Sequence, residues 1–234
     1  MCLVHRTARD GHAPEGIVRC EDEQQGFLFE LSHVENDANV AEMTAAALKR
    51  RVSGTMLSDV WFALLSDDKS VDMPIWETLA KVWRLGRRAE INLADENIHA
   101  VRKAALRTGG EYNKYLGLTR FKDIGGLFYS ELEPDCDLLP LLAEHFHARL
   151  PDRGWILHDL RRRRAAVFDT RQWVLEDMDL PERLAPTQQE DYYQSLWREF
   201  YRSTTTRERA NLKVQRTHMP KKYWKHLIET PQNP

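Results

Sequence analysis

Apolar side chains recur at three- and four-residue intervals through residues 38–108, the spacing that lays one face of an α-helix against a core. Residues 41–52, 57–65 and 75–85 each read as helices, with Pro74 in a first turn where its missing N–H costs nothing. Asp95 is placed to cap a further helix through Ile98, Val101, Ala105 and Leu106, which Gly109 is expected to end. The pattern changes at Leu118. Residues 118–124 and 127–132 alternate in the manner of strands, and Gly125-Gly126 between them suits a hairpin turn with positive φ. Residues 138–150 return to helical spacing and stop at Pro151, after which residues 155–160, 165–168 and 173–175 are strand-like. The order β-β-α-β-β-β predicts an antiparallel sheet with a helix packed on one face, and hence an α+β chain with a helical N-terminal half and a helical, basic C-terminus.

The ends of the chain read differently. Residues 1–15 lack periodicity and contain Gly11 and Pro14, so they are expected to be a disordered leader. Residues 17–20 and 26–31 have the composition of two short strands that could pair as a hairpin. A linker with Pro181, Glu182 and Pro186 precedes Thr187-Gln188-Gln189-Glu190, which has the form of a capping box. Tyr193, Leu196, Trp197 and Phe200 then make one apolar stripe, expected to face the core. Residues 16–234 are thereby taken as one domain, with helical, sheet-forming and basic helical sections over 38–108, 118–176 and 187–228.

Composition narrows the classes. With 234 residues and 42% hydrophobic content, the chain can bury a substantial core. No apolar run approaches the roughly 20 residues that span a bilayer, and the start lacks a signal-peptide succession, so a cytoplasmic protein without a membrane partner is expected. Cys2, Cys20 and Cys136 are scattered and form no Cys-x-x-Cys pair, which predicts neither a disulfide framework nor a zinc or iron–sulfur site. The net charge of −2 hides a polarised chain: residues 161–234 hold fifteen Lys/Arg against ten Asp/Glu, whereas residues 1–160 hold nineteen against twenty-six. Such a field draws an anionic partner to one end.

Residues 207–227 concentrate that positive charge. Arg207, Arg209, Lys213, Arg216, Lys221, Lys222 and Lys225 alternate there with His218, Tyr223, Trp224 and His226. Cations displace counterions from phosphates, and flat rings stack on exposed bases, so the pattern suits nucleic acid. The competing reading is a solvated basic tail docked through Tyr223, Trp224 and Leu227. If Pro220 opens an α-helix, Trp224 aligns with Leu227 as the anchor and Tyr223 stays partly exposed beside Lys222. Arg161, Arg162, Arg163 and Arg164 form a second cluster at the tip of an expected hairpin, where four guanidinium groups repel one another unless an anion lies close; the competing reading is a solvated turn partly neutralised by Asp159 and Asp169.

Catalytic signals are weaker. His158-Asp159 ends an expected strand and could move a proton, although adjacent strand residues face opposite sides and cannot readily touch. His145 and His147 are two apart on a helix, about 200° around its axis, and cannot chelate one ion. Glu131, Glu133, Asp135 and Asp137 could hold a cation, but carboxylates before a helix also complement its dipole. No metal site is assigned. No phosphate-binding lysine loop, dinucleotide glycine fingerprint or nucleophile elbow occurs.

Four motifs carry a family resemblance: Glu111-Tyr112-Asn113-Lys114-Tyr115-Leu116-Gly117-Leu118-Thr119-Arg120-Phe121, then Tyr129-Ser130-Glu131-Leu132-Glu133-Pro134, then Trp155-Ile156-Leu157-His158-Asp159, then Met219-Pro220-Lys221-Lys222-Tyr223-Trp224-Lys225-His226-Leu227. In this order they resemble a bacterial family linked to DNA repair or DNA metabolism, over about residues 17–227. Its members occur beside a radical SAM protein or fused to a uracil-DNA glycosylase-like domain. The resemblance implies a pathway and partners rather than a reaction. It places the iron–sulfur cluster and S-adenosylmethionine in the partner and no cofactor in this chain. Asn113 and Leu116 stand where the family pattern commonly has His and Lys, so any acid–base or Schiff-base role of those positions would be lost here.

These observations point to a DNA-repair or DNA-modification accessory protein that binds nucleic acid and works with a radical SAM partner. Its expected contacts are Arg161, Arg162, Arg163, Arg164, Lys213, Arg216, Lys221, Lys222, Tyr223 and Lys225. The alternatives are an enzyme that processes a base or abasic site with His158 or Asp159, and a protein-interaction scaffold that touches no DNA.

Overall fold

The computed structural model describes residues 2–4, 6, 13–19, 34–90, 94–179, 187–204 and 217–229. The chain divides into two compact units, residues 1–109 and 110–234, where the sequence pattern suggested one domain.

The first unit is helical. Helices α1 (Ala38–Arg51), α2 (Gly54–Leu64) and α3 (Asp72–Leu85) lie where the apolar spacing placed them. Their starts are set by short polar side chains that accept from orphan amides: Asp37 from the Asn39 and Val40 N–H groups, and Ser53 from that of Met56. Leu48, Val52, Met56, Val60, Trp76, Leu79 and Val82 fill the core, together with Ile98 and Val101 of helix α4 (Glu96–Leu118). Val4 is also buried in this core, so part of the expected disordered leader is ordered. Residues 17–19 form no strand, and the rest of the proposed N-terminal hairpin lies outside the described residues.

Asp95 caps α4 as expected, accepting from the Asn97 and Ile98 N–H groups. The helix does not end at Gly109. It runs on through Gly109-Gly110 to Leu118, and the division between the units falls inside it. Each interior glycine costs about 1 kcal/mol relative to alanine. Burial of Ile98 and Val101 in the first core and of Tyr115 in the second outweighs that cost, which local propensity alone does not register.

The second unit is built on a five-stranded sheet of β1 (Lys122–Asp123), β2 (Phe128–Leu132), β3 (Trp155–Asp159), β4 (Arg164–Phe168) and β5 (Trp173–Asp177), ordered as in the sequence. Gly125 and Gly126 take φ of 94° and 91° in the β1–β2 turn, as their pairing suggested. The α+β class holds, but the sheet is mixed and not antiparallel: β2 runs parallel to β3, with Phe128 opposite Trp155 and Leu132 opposite Asp159. Helix α5 (Leu139–Arg149) supplies the crossover that a parallel pair requires. Its Leu139, Leu142, Ala143 and Phe146 pack with Leu132, Trp155, Leu157 and Phe168 as the second core. One consequence bears on function. The parallel pair brings two strand ends, Leu132 and Asp159, out on the same side, each followed by a polar loop.

Helix α6 (Gln188–Thr204) begins at the foreseen capping residue, Thr187, whose hydroxyl accepts from the Glu190 N–H at 3.1 Å. Glu190 does not close the box. Its Oε2 accepts instead from the Asp123 N–H at 3.2 Å and ties α6 to the edge strand. A 3-10 segment, Lys221–His226, follows Pro220.

Candidate nucleic-acid interface

The loop after β2 and the β3–β4 turn adjoin because their strands are parallel neighbours. Asp159, the last residue of β3, is fully buried, and its Oδ1 accepts from the Arg161 and Arg162 N–H groups at 3.0 and 3.1 Å. The turn is tight enough to hold Arg163 at a φ of 51°. The Arg162 guanidinium then folds back onto Asp159 Oδ2 at 2.9 Å and the Pro134 carbonyl at 3.1 Å, and also donates to the Asp135 carbonyl. Burial pushes the Asp159 carboxyl above the usual aspartate range despite these donors. Arg162 is therefore the link between the two loops.

The C-terminal segment closes over the same loops. Lys222 Nζ lies 2.7 Å from Glu111 Oε1 and 2.6 Å from Asp135 Oδ2, while Asp135 Oδ1 takes Arg161 Nη1 at 2.9 Å. Glu111, on the buried side of α4, also accepts from the Asp135 and Cys136 N–H groups. Burial alone would raise Glu111, but the bonds from Lys222 and those two amides hold it below the usual glutamate value. Burial would likewise lower Lys222, and its carboxylate partners outweigh it and hold the ammonium well above the ordinary lysine range. Lys225 pairs with Glu133, and His226 lies between Glu131 and Glu133, its pKa lowered chiefly by burial.

All four motifs of the family resemblance meet here: Glu111 from the first, Glu133 and Pro134 from the second, Asp159 from the third, and Lys222, Tyr223 and Lys225 from the last. The two basic clusters singled out in the sequence thus lie on one face, joined through Asp135. They are not bare. Arg163 pairs with Asp179, and Arg164 with Asp137 and Asp177. Arg161, Arg162, Arg163, Arg164, Lys222 and Lys225 face seven carboxylates, those of Glu111, Glu133, Asp135, Asp137, Asp159, Asp177 and Asp179. Lys221 is exposed with no carboxylate partner among the described residues, and Lys213 and Arg216 lie outside those residues. Sequence spacing does not foresee most of this pairing, because six of the seven acids are distant in the chain from the cations they meet, and only Asp159 is a near neighbour of its partner, Arg162.

Tyr223 and Trp224 exchange the roles expected of them. Tyr223 is 4% exposed and packs edge-on against Tyr115 at 5.2 Å, whereas Trp224 is half-buried and donates its indole N–H to the Met219 carbonyl at 2.9 Å. The segment is a 3-10 helix with three residues per turn, so Tyr223 aligns with Pro220 and His226 on the inner face. The α-helical register assumed for it points Trp224 inward instead.

His158 and Asp159 lie on opposite faces of β3, as strand alternation requires. His158 is buried, with Nδ1 accepting from the Tyr129 hydroxyl at 2.9 Å and Nε2 donating to the Met178 carbonyl at 3.1 Å. Both ring nitrogens are in use. His145 and His147 pack on different rings, those of Phe146 and Phe168, and Leu116 packs against the second core while Asn113 is exposed. The described residues contain no group of three His, Cys, Asp or Glu able to hold a metal ion. Nor do they contain a helix long and apolar enough to cross a membrane.

The stripe Tyr193, Leu196, Trp197 and Phe200, expected in the core, is exposed on α6. Amphipathic spacing identifies an apolar face and not what covers it.

Residues 69–229 match the model of a family described as a domain of unknown function, DUF4130. No curated protein and no solved structure matches the chain.

Proposed function

This chain belongs to the DUF4130 family, and we propose that it is an accessory protein of DNA metabolism that contacts nucleic acid through the face shared by the β3–β4 turn and the C-terminal segment. The observation that carries this reading is Asp135 bridging Arg161 and Lys222, which sets two basic clusters far apart in the chain on one surface.

Geometry divides the cations by task. Arg162 and Lys222 bind buried carboxylates and hold the loops together. Arg161, Arg163 and Lys225 are mostly exposed and their carboxylate partners open, and Lys221 is exposed as well. Exposed ion pairs contribute only about 0–1 kcal/mol, so a phosphate can replace a carboxylate at these positions with little loss. The interleaved acids limit the number of phosphates taken and suit a protein that samples DNA beside a partner. The motif resemblance supports a radical SAM enzyme as that partner, holding the iron–sulfur cluster and S-adenosylmethionine, with a uracil-DNA glycosylase-like protein in the same pathway. A base-processing enzyme finds less support, since His158 spends its ring nitrogens on Tyr129 and the Met178 carbonyl, and Asp159 its carboxylate on the amides and guanidinium of the β3–β4 turn.

The test is the affinity for matched single-stranded and duplex oligonucleotides across a salt series. About four phosphate contacts give a slope near −3.6 in log K against log salt on duplex DNA, at about −0.9 per contact. Replacing Lys221 and Lys225 together by Ala is expected to lower its magnitude by about two. Affinity indifferent to salt would overturn this reading.

A further inference from the structure

Helix α6 carries its apolar face in the open. Tyr193, Leu196, Trp197 and Phe200 are 55, 47, 40 and 56% exposed. Together with Phe121, Phe128 and Ile228 they line a groove of about 890 Å³. That volume lies in the range of clefts that bury an organic ligand or several side chains, about 300–1,000 Å³. The four wall residues follow the i, i+3, i+4, i+7 pattern over two helical turns, about 10.5 Å of axis, the reach over which a docked amphipathic helix sets its own anchors.

The groove has a polar end that narrows what can occupy it. Asp123 and Glu190 line it there, the first receiving the Gly125 and Gly126 N–H groups and the second the Asp123 N–H. Neither carboxylate has an ion-pair partner among the described residues. Arg153, also in the lining, is held with its guanidinium 5.1 Å from the centre of the Phe128 ring. Two carboxylates against one guanidinium repel a phosphate backbone and favour a cation.

We propose that this groove is the docking site for an amphipathic helix of a partner protein, which lays apolar side chains along Tyr193, Leu196, Trp197 and Phe200 and sets a Lys or Arg against Asp123 and Glu190. The proposal rests on the accessory reading only for the existence of a protein partner. Its residues are separate from the cationic face, so the two can fail independently.

The experiment uses the full chain and a fluorescent helical peptide of about 18 residues. The peptide carries Leu at i, i+3, i+4 and i+7 and two lysines at one end, and its twin carries glutamates in their place. The lysine peptide is expected to bind. Leu196→Glu should weaken it at least about tenfold by placing a charge in the apolar wall. Glu190→Gln should bind about fivefold more weakly, the loss of one ion pair, and the glutamate twin more weakly still, since its carboxylates meet those of Asp123 and Glu190. Replacing Lys221 and Lys225 by Ala should leave peptide affinity unchanged. Phe200→Ser repeats the wall test should Leu196→Glu melt early. Three results would overturn the proposal: no binding of the lysine peptide, an oligothymidine whose binding is lost in Leu196→Glu, or self-association of the chain that Leu196→Glu abolishes.

Discussion

The cationic face and the α6 groove break sequence expectation in opposite directions. Cations that looked free for phosphate are largely paired with carboxylates, and an apolar stripe that looked destined for the core is exposed. The cause is common to both. A side chain's type records which interactions it can make, while its availability depends on what distant segments bring to it. Glu111, Glu133 and Asp135 reach the C-terminal lysines only because α4, the loop after β2 and the last segment converge. Tyr193, Leu196, Trp197 and Phe200 stay between 40 and 56% exposed, although Glu229 reaches the Trp197 indole N–H.

Variants can break this contrast at several strengths. The largest effect is expected from Tyr223→Ala, which removes a buried ring stacked edge-on with Tyr115 and should cost about 3 kcal/mol in a denaturant melt. Trp224→Ala, at a half-buried ring, should cost less than half of that. Equal losses would return the anchor role to the indole.

Lys222→Ala comes next. Removing one partner of a buried pair costs about 3–5 kcal/mol, and because Lys222 is itself 42% exposed the expected loss is nearer 2 kcal/mol. The loss should depend on pH. Glu111 titrates below its usual value of 4.5 in the folded chain, so its contribution is complete above that value and disappears as pH falls through the lower folded value. The gap between wild type and Lys222→Ala should therefore narrow on acidification in that window, and a gap constant from neutral pH to pH 3 would remove Glu111 from the account.

Lys225→Ala should cost under about 1 kcal/mol, since its pair with Glu133 is exposed, and high salt should erase the difference. A loss as large as that of Lys222→Ala would mean that the outer cations also hold the fold and cannot be lent to phosphate. The smallest effect is expected from Leu196→Ser. At an exposed wall position the melt should shift by no more than about 0.5 kcal/mol. A loss of several kcal/mol would show that the stripe is covered after all.

Several features were legible without coordinates because their physics is confined to a few neighbouring residues. Asp95 and Thr187 cap helices through amides two or three positions away, and Gly125-Gly126 turns because only glycine enters positive φ freely. Apolar spacing set out the helices of the first unit, and strand alternation correctly kept His158 and Asp159 apart. Continuation of α4 through two glycines, the parallel pairing of β2 with β3, the inward turn of Tyr223 and the carboxylate partners of Arg161, Lys222 and Lys225 were not legible in this way. Each is settled by contacts between segments far apart in the chain, whose burial and charge pairing outweigh local preferences of about 1 kcal/mol and leave no periodic mark in the sequence.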